Sequence, residues 1–383
     1  MKNINQKIKS KLNDFASIWR VAQFLFNNYP QRTFIVTIIS FFSCLSETLG
    51  VLTIVPIFLI ISGEQINNDG FAGTIYKYFS EFGLTDNLIT VLLFFTLAIA
   101  LKSLLRLLNA SLIGNTYALI AKNYRLKLMD SIYKAKWIHF VTQKTGGLAN
   151  AISSEPEKAA QAFNYFIRFT TAAIQLLFYL FISFAASMLV TFSAFIYAIS
   201  LFLIIVLIHN RATSAAEGVV QSVKNMTGKL TEYLLLLKPI KAMESGLILQ
   251  KLLNNEADKI NINTRKEIFI SEIVKSIQEP LITIFICTFF YLSVTIFSFS
   301  ITEIALLSFV FYRLMAHLSL LQVGYLNMIR LDRFMSSLFN TIEKAKINKE
   351  EWTGNLQTNL KSNIVFKNVT FGYTKKEIIK NYI

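Results

Sequence analysis

Residues Phe169 to Ile208 form a run of about 40 residues without a single charged side chain. A helix needs about 20 apolar residues to cross a bilayer. The run is therefore two spans back to back, and the uncharged polar group Thr191 to Ser193 predicts the tight turn between them. A chain with such a run has a bilayer as part of its solvent. Hydrophobic residues make up 54% of the sequence and charged residues only 16%, against about 25% in soluble domains.

The other apolar runs fall around this pair. Thr33 to Ile61 is interrupted by one carboxylate, Glu47. A second run starts near Leu88 and passes Lys102 and Arg106. A fifth follows Glu279-Pro280, and a sixth follows Glu303 and ends near Val323. The predicted spans are approximately 33–61, 88–121, 165–190, 193–210, 279–302 and 303–325. Before them, residues 12–28 place Phe15, Ile18, Trp19, Ala22, Leu25 and Phe26 at helical spacing with Arg20 opposite, the pattern of a helix lying in the membrane interface.

Cytoplasmic loops accumulate Lys and Arg, which accounts for the net charge of +15 without a nucleic-acid partner. The segments before the first span, after the second and after the fourth are basic, whereas Gly63 to Asn87 carries four carboxylates against Lys77. Both termini are therefore expected in the cytoplasm of a multi-pass plasma (inner) membrane protein. The two long internal segments, roughly 122–164 and 209–270, are polar but nearly free of Gly and Pro. Loops of that length without structure are uncommon, so helices projecting into the cytoplasm are predicted. From Trp352 the pattern changes: NIVFKNVTFGYTKKE alternates apolar and polar residues, a strand signal. Cys44 and Cys287 lie within apolar runs, and His139, His209 and His317 are scattered. No disulfide framework or metal site is expected, and no cleavable signal peptide is recognisable.

Three passages resemble the ABC exporter family with fused transmembrane and nucleotide-binding domains. FVTQKTGGLANAISSE (Phe140 to Glu155) resembles its first intracellular loop, with Gly147 and Leu148 in the Gly-x-Leu element and Glu155 where Asp is usual. TEYLLLLKPIKAMES (Thr231 to Ser245) resembles the stretch after the second loop, departing from it at Leu236 and Pro239. IVFKNVTFGY (Ile364 to Tyr373) resembles the opening strand of the nucleotide-binding domain.

The resemblance implies an all-α membrane fold: an interfacial segment 1–31, a six-helix transmembrane domain 32–345 with long cytoplasmic helical extensions, a linker 346–361, and the first strands of a truncated α/β nucleotide-binding domain at 362–383. It implies coupling helices near 139–147 (Phe140, Gly147, Leu148) and 222–230 (Thr227, Leu230), Tyr373 stacking on adenine, and use of ATP and Mg²⁺. Partners would be membrane lipid and a second copy or a separate nucleotide-binding chain. No G-x-x-x-x-G-K-[ST] phosphate loop occurs in the sequence, so this chain alone is not expected to hydrolyse ATP. ETLGVLTIVPIFLIISG (Glu47 to Gly63) followed by the amphipathic FAGTIYKYFSEFG (Phe71 to Gly83) looks like the branch that flips lipid-linked oligosaccharides. A peptide or drug exporter of the same fold, and a non-transporting or partner-binding membrane remnant, are the other functions the sequence leaves open. The Ile-, Asn- and Lys-rich usage suits an AT-rich bacterial genome.

Several residues carry two readings. Arg313 falls near the bilayer centre, with His317 one turn on and Glu47 in the outer half of the first span. An Arg313–Glu47 pair would lock two helices, or Arg313 would face a cavity and contact substrate. Lys102 and Arg106 share a helix face, either snorkelling to inner headgroups or attracting an anionic group into a cavity. Gly147 is a plain turn or part of a coupling helix. The segment 71–83 dips into the outer leaflet or caps the bundle. Tyr373 packs in a strand or stacks on a base.

Overall fold

The computed structural model describes residues 18–62, 71–85, 87–141, 145–186, parts of 188–200, 218–295 except 220 and 224, 301–351, and short segments between 363 and 382. The described chain is built from helices: α1 (18–28), α2 (Pro30–Leu52), α3 (Ile54–Ser62), α4 (Phe71–Glu81), α5 (Leu88–Tyr133), α6 (Trp137–Val141), α7 (Thr145–Ala186), α8 (225–235), α9 (Leu237–Ala242), α10 (Gly246–Thr295) and α11 (Ile301–Ile347). A single antiparallel pair, β1 (Val369–Phe371) with β2 (Ile379–Tyr382), follows, with Val369 opposite Tyr382 and Phe371 opposite Ile379. Residues 365–368 and 372–378, and with them Tyr373, lie outside the described residues.

Among the described residues four helical stretches are long and apolar enough to cross a membrane: Pro30–Ile61, Leu88–Tyr133, Ala151–Ala185 and Leu307–Ile347. A shorter apolar stretch, Glu279–Thr288, lies within α10. Most of the expected fourth span, 193–210, lies outside the described residues.

The helices overrun the expected boundaries. Those boundaries fall where charge begins, but a helix does not stop for charge. Its backbone hydrogen bonds continue regardless, and α7 and α10 continue even past Pro156 and Pro280. Hence α5 runs 46 residues, α10 runs 50 and α11 runs 47, each longer than any bilayer requires. The first span is the opposite case. It breaks between α2 and α3 at Thr53, three residues before Pro56. Proline lacks the N–H that would bond four residues back, and its ring collides with that carbonyl, here Leu52. The Thr53 hydroxyl instead donates to the Gly50 carbonyl at 2.6 Å. Towards the far end of α7, the Thr191 hydroxyl donates to Ser183 Oγ at 3.1 Å.

The principal bundle is α2, α5, α7 and α11. On α7, Ala151, Ala159, Ala160 and Ala162 are all buried in the core it shares with α1, α5 and α11. Small residues let backbones approach closely where lipid supplies no hydrophobic drive between helices. Gly324 of α11 sits in the α7–α11 seam: a Cβ there would lie 3.3 Å from the Phe169 Cα and 3.1 Å from its Cβ. Polar side chains stitch the bundle elsewhere. Asn109 of α5 donates to Ser40 of α2 at 2.7 Å, and Ser46 of α2 donates to the Ala98 carbonyl at 2.7 Å.

One apolar core joins α1 to the bundle through Val21, Leu25, Leu128, Phe163 and Leu338. A second gathers α3, α4, α7 and α11 around Val55, Ile75, Tyr179 and Phe311. By contrast α10 meets the bundle chiefly through α11, where Phe285 stacks on Phe311 at 4.3 Å.

Replacing Gly324 by Val overpacks the α7–α11 seam against backbone. We expect a loss of about 1–3 kcal/mol, read as a lower unfolding midpoint of the detergent-solubilised protein, with Gly114→Val, in open space, as the matched control.

Candidate functional site

The described spans bring four of the five candidate cavity residues to one level of the bundle. Glu47 of α2 is buried, its side chain 8% exposed. Its Oε2 receives Lys102 Nζ of α5 at 2.9 Å, and its Oε1 receives Arg313 Nη1 of α11 at 3.4 Å. One carboxylate therefore joins three helices, one cation on each oxygen. The two cations are less buried than the anion, at 24% for Lys102 and 37% for Arg313. The cations are thus the accessible members of the triad and Glu47 the enclosed one.

His317 follows one turn below Arg313, with its ring 5.6 Å from the fully buried Tyr179 of α7. The Arg313 guanidinium also lies 5.2 Å from the Phe309 ring, within cation–π range. Arg313 Nε and His317 Nδ1 are buried without a hydrogen-bond partner. Arg106 stands apart, exposed on α5.

Sequence reasoning misses the wall behind the triad. Gln175 of α7 is fully buried and donates to the Thr48 hydroxyl at 3.2 Å, and Thr48 in turn donates to the Cys44 carbonyl at 2.8 Å. Gln175 and Tyr179 are one turn apart in the uncharged run. Their signal is two polar side chains at i, i+4 within an otherwise apolar stretch.

Formal charge decides what this site does. Glu47 contributes one negative charge, Lys102 and Arg313 two positive ones, so the cluster carries an excess of +1. Charges at membrane depth are costly unless paired. Once Glu47 is engaged by both cations, the cluster still favours one further anionic group.

The other candidate residues lie at the far ends of the long helices. Phe140 belongs to α6, and Gly147 opens α7 together with the buried Leu148. Glu155, one of the residues that carry the loop resemblance, is buried and accepts a hydrogen bond from Ser337 of α11 at 2.9 Å. The turn before α6 is clipped to the exit of α11: Lys136 N–H donates to Asn348 O and Glu350 N–H to Lys134 O, both at 2.8 Å, around an Ala135–Lys349 bridge. Thr227 and the partly exposed Leu230 lie on α8. That helix is tied to α10 by Glu256, which receives Lys229 at 2.7 Å and Lys259 at 3.1 Å. Its carboxyl is held below the usual carboxylate range by the Lys229 hydrogen bond first and the Lys259 hydrogen bond second. On the N-terminal side, Arg20 of α1 pairs with the buried Asp332 of α11, and this hydrogen bond raises the guanidinium pKa further above its already high value. Among the described residues no group of His, Cys, Asp or Glu is placed to hold a metal ion.

Comparison with known structures fits this geometry. The chain superposes on a bacterial Atm1-family ABC exporter solved with ATP bound, with a TM-score of 0.66 over 93% of this chain at 11% identity. The fold is that of an ABC exporter transmembrane domain, and the chain is a multi-pass membrane protein. It spans 61% of the length of that exporter chain. No family model matches the sequence, and no curated protein matches it.

The lowered Glu256 pKa sets a pH dependence. A carboxyl with a folded pKa below its unfolded value stabilises the fold above about pH 4.5 and loses that contribution as pH falls through the folded value. We expect amide exchange in 225–235 and 250–263 to accelerate below about pH 4 relative to α2, and Glu256→Gln to show the faster exchange already at pH 7.

Proposed function

We propose that this chain is the transmembrane part of an ATP-driven exporter that moves an amphipathic, anionic substrate, of the lipid-phosphate kind, towards the outer side of a bacterial plasma membrane. The observation that carries the reading is the excess positive charge of the Glu47–Lys102–Arg313 cluster, with the carboxylate enclosed and the cations accessible.

Depth supports it. Asp332 lies 19 residues beyond Arg313 on the same helix, about 28 Å along the axis and close to one hydrocarbon thickness. In our reading the Arg20–Asp332 pair, with Arg32, Lys122 and Arg330 at a similar level by sequence position, marks the cytoplasmic face. The Glu47 cluster then lies towards the outer leaflet. Both termini are cytoplasmic in this orientation, with 1–31, 32–345, 346–361 and 362–383 as interfacial, transmembrane, linking and nucleotide-binding segments. At the outer end, α4 buries Ala72 and Ile75 and leaves Tyr78 and the following Phe82 61% and 79% exposed. Amphipathic aromatics at such a place suit a lipid interface, which favours the flippase branch over a soluble-substrate exporter.

A second copy of the chain is the natural partner. The α8–α10 arm holds itself together through Glu256 and through Asn263, which donates to Ser222 at 3.2 Å. It meets its own bundle chiefly at α11, leaving Ile284, Phe269 and Tyr291 of α10 exposed. A homodimer would cover such faces. ATP and Mg²⁺ enter this reading only through a nucleotide-binding domain. The residues of this chain include no phosphate-binding loop, so no step through the nucleotide is assigned to them. In this reading α6 and α8, with Phe140, Gly147, Leu148, Thr227 and Leu230, receive the nucleotide domain's motion, and Tyr373 stacks on adenine.

Binding tests the reading directly. In phosphatidylcholine nanodiscs, the protein should retain radiolabelled dodecyl phosphate, with neither dodecanol nor inorganic phosphate competing at equal concentration. Arg313→Ala and Lys102→Ala should each weaken retention about tenfold, the order of one charge-assisted contact. Equal retention by the native protein and both variants would remove the anionic-substrate reading. Particles counted by mass photometry should contain two chains.

A further inference from the structure

The cluster holds its own anion. Glu47 occupies both cations at once, one oxygen to each. It is also the most buried member, at 8% against 24% and 37%. An anionic group arriving at the cluster meets the more accessible Lys102 and Arg313 before it meets Glu47. Three buried donors around this level remain unpartnered: Arg313 Nε, the Tyr179 hydroxyl, and His317 Nδ1 when that nitrogen carries the proton. A group that engaged them would draw the guanidinium away from the longer of the two contacts, the 3.4 Å one to Glu47.

We propose that Glu47 is an internal stand-in for the substrate's anion: it neutralises Lys102 and Arg313 in the resting protein and is displaced from Arg313 first when an anionic headgroup binds. This rests on the anionic-substrate reading and adds a specificity device to it. A resident competitor sets a threshold. A weakly charged amphiphile, such as a zwitterionic lipid abundant in the same leaflet, does not displace a carboxylate already in place. A phosphate monoester or diphosphate, with more charge and three acceptor oxygens on its terminal group, does.

The neighbours of Glu47 permit this mechanically. Behind it, Thr48 and Gln175 are tied to one another and to α2 backbone, so the helix carrying Glu47 does not need to move for its side chain to release one cation. Lys102 at 2.9 Å remains as its anchor. The bundle thus keeps one of its two interhelical links while the other is exchanged for substrate.

Population arithmetic gives the size of the effect. A ligand that binds only the fraction of molecules with free cations has its affinity reduced by that fraction. A partly exposed ion pair nets at most about a tenfold bias towards contact once desolvation and side-chain ordering offset the Coulomb attraction, so on the order of one molecule in ten has Arg313 free of Glu47. Removing the competitor should therefore tighten binding about tenfold.

The test is dodecyl phosphate retention by Glu47→Gln protein in nanodiscs of an uncharged, phosphate-free glycolipid, beside native protein, Arg313→Ala and Lys102→Ala in the same nanodiscs. Glu47→Gln should bind about tenfold more tightly and should in addition retain dodecylphosphocholine, a zwitterion that native protein rejects. Glu47→Asp, one methylene shorter, keeps the charge but reaches the cations less well. It should bind about threefold more tightly, and it decides the matter should the glutamine variant not fold. If the two cation variants lose binding while Glu47→Gln, or Glu47→Asp in its place, binds no more tightly than native, Glu47 is a structural link and the stand-in role is wrong, with the anionic-substrate reading intact. If the cation variants bind as native does, the anionic-substrate reading itself fails.

Discussion

A carboxylate shared between two cations on two other helices is the interaction from which the transmembrane bundle takes its register. Apolar contacts alone specify depth poorly in lipid, because sliding one leucine-rich helix along another exchanges like for like. A buried charge does not permit such sliding. Moving α5 and α11 together by one turn against α2 would strand Glu47 at membrane depth, at a cost of several kcal/mol, and moving either alone would leave its cation without the carboxylate. The levels of Asn109 against Ser40, of Gln175 against Thr48, and of Phe285 against Phe311 are consistent with that one alignment. So is the Arg20–Asp332 pair, which repeats the arrangement about 28 Å away along α11.

The two ends of the bundle are made differently. Around Glu47 the wall is polar, with hydroxyls, an amide and an imidazole facing a guanidinium. Towards α1 it is alanine and aromatic packing, with Phe24, Tyr124 and Phe339 in mutual ring contact at 5.4 to 5.7 Å. A close-packed end transmits displacement with little slack. A polar end with unpartnered donors accommodates a ligand.

Much of this architecture is legible in the amino-acid sequence. The all-α membrane class follows from charge-free runs, and the intracellular extensions from long polar segments without Gly or Pro. Counting depth along two helices makes an Arg313–Glu47 contact geometrically possible, beside the alternative of a cavity-facing Arg313. What escapes is of two kinds. The exact helix ends are not readable, because charge marks where a membrane stops and not where a helix does; beyond the expected spans α5 runs on to Tyr133 and α11 to Ile347. Three-body relations are also hidden: depth counting allows Glu47 one partner, but only packing shows that Lys102 reaches the same carboxylate. The break at Thr53 is readable from Pro56, since proline's effect falls at a fixed distance upstream. The Gln175–Tyr179 pair is readable from its spacing, but a run defined by its lack of charge hides polar groups that carry none.

The clip between the α6 turn and the exit of α11 consists of backbone bonds only, Lys136 to Asn348 and Glu350 to Lys134. Backbone pairing is indifferent to side-chain identity, and it slips only in whole-residue steps that change which face each residue presents. The exit of α11 is therefore indexed to the first intracellular turn as a tooth is to a ratchet. Within that one register, a small displacement of either segment is carried to the other undiminished.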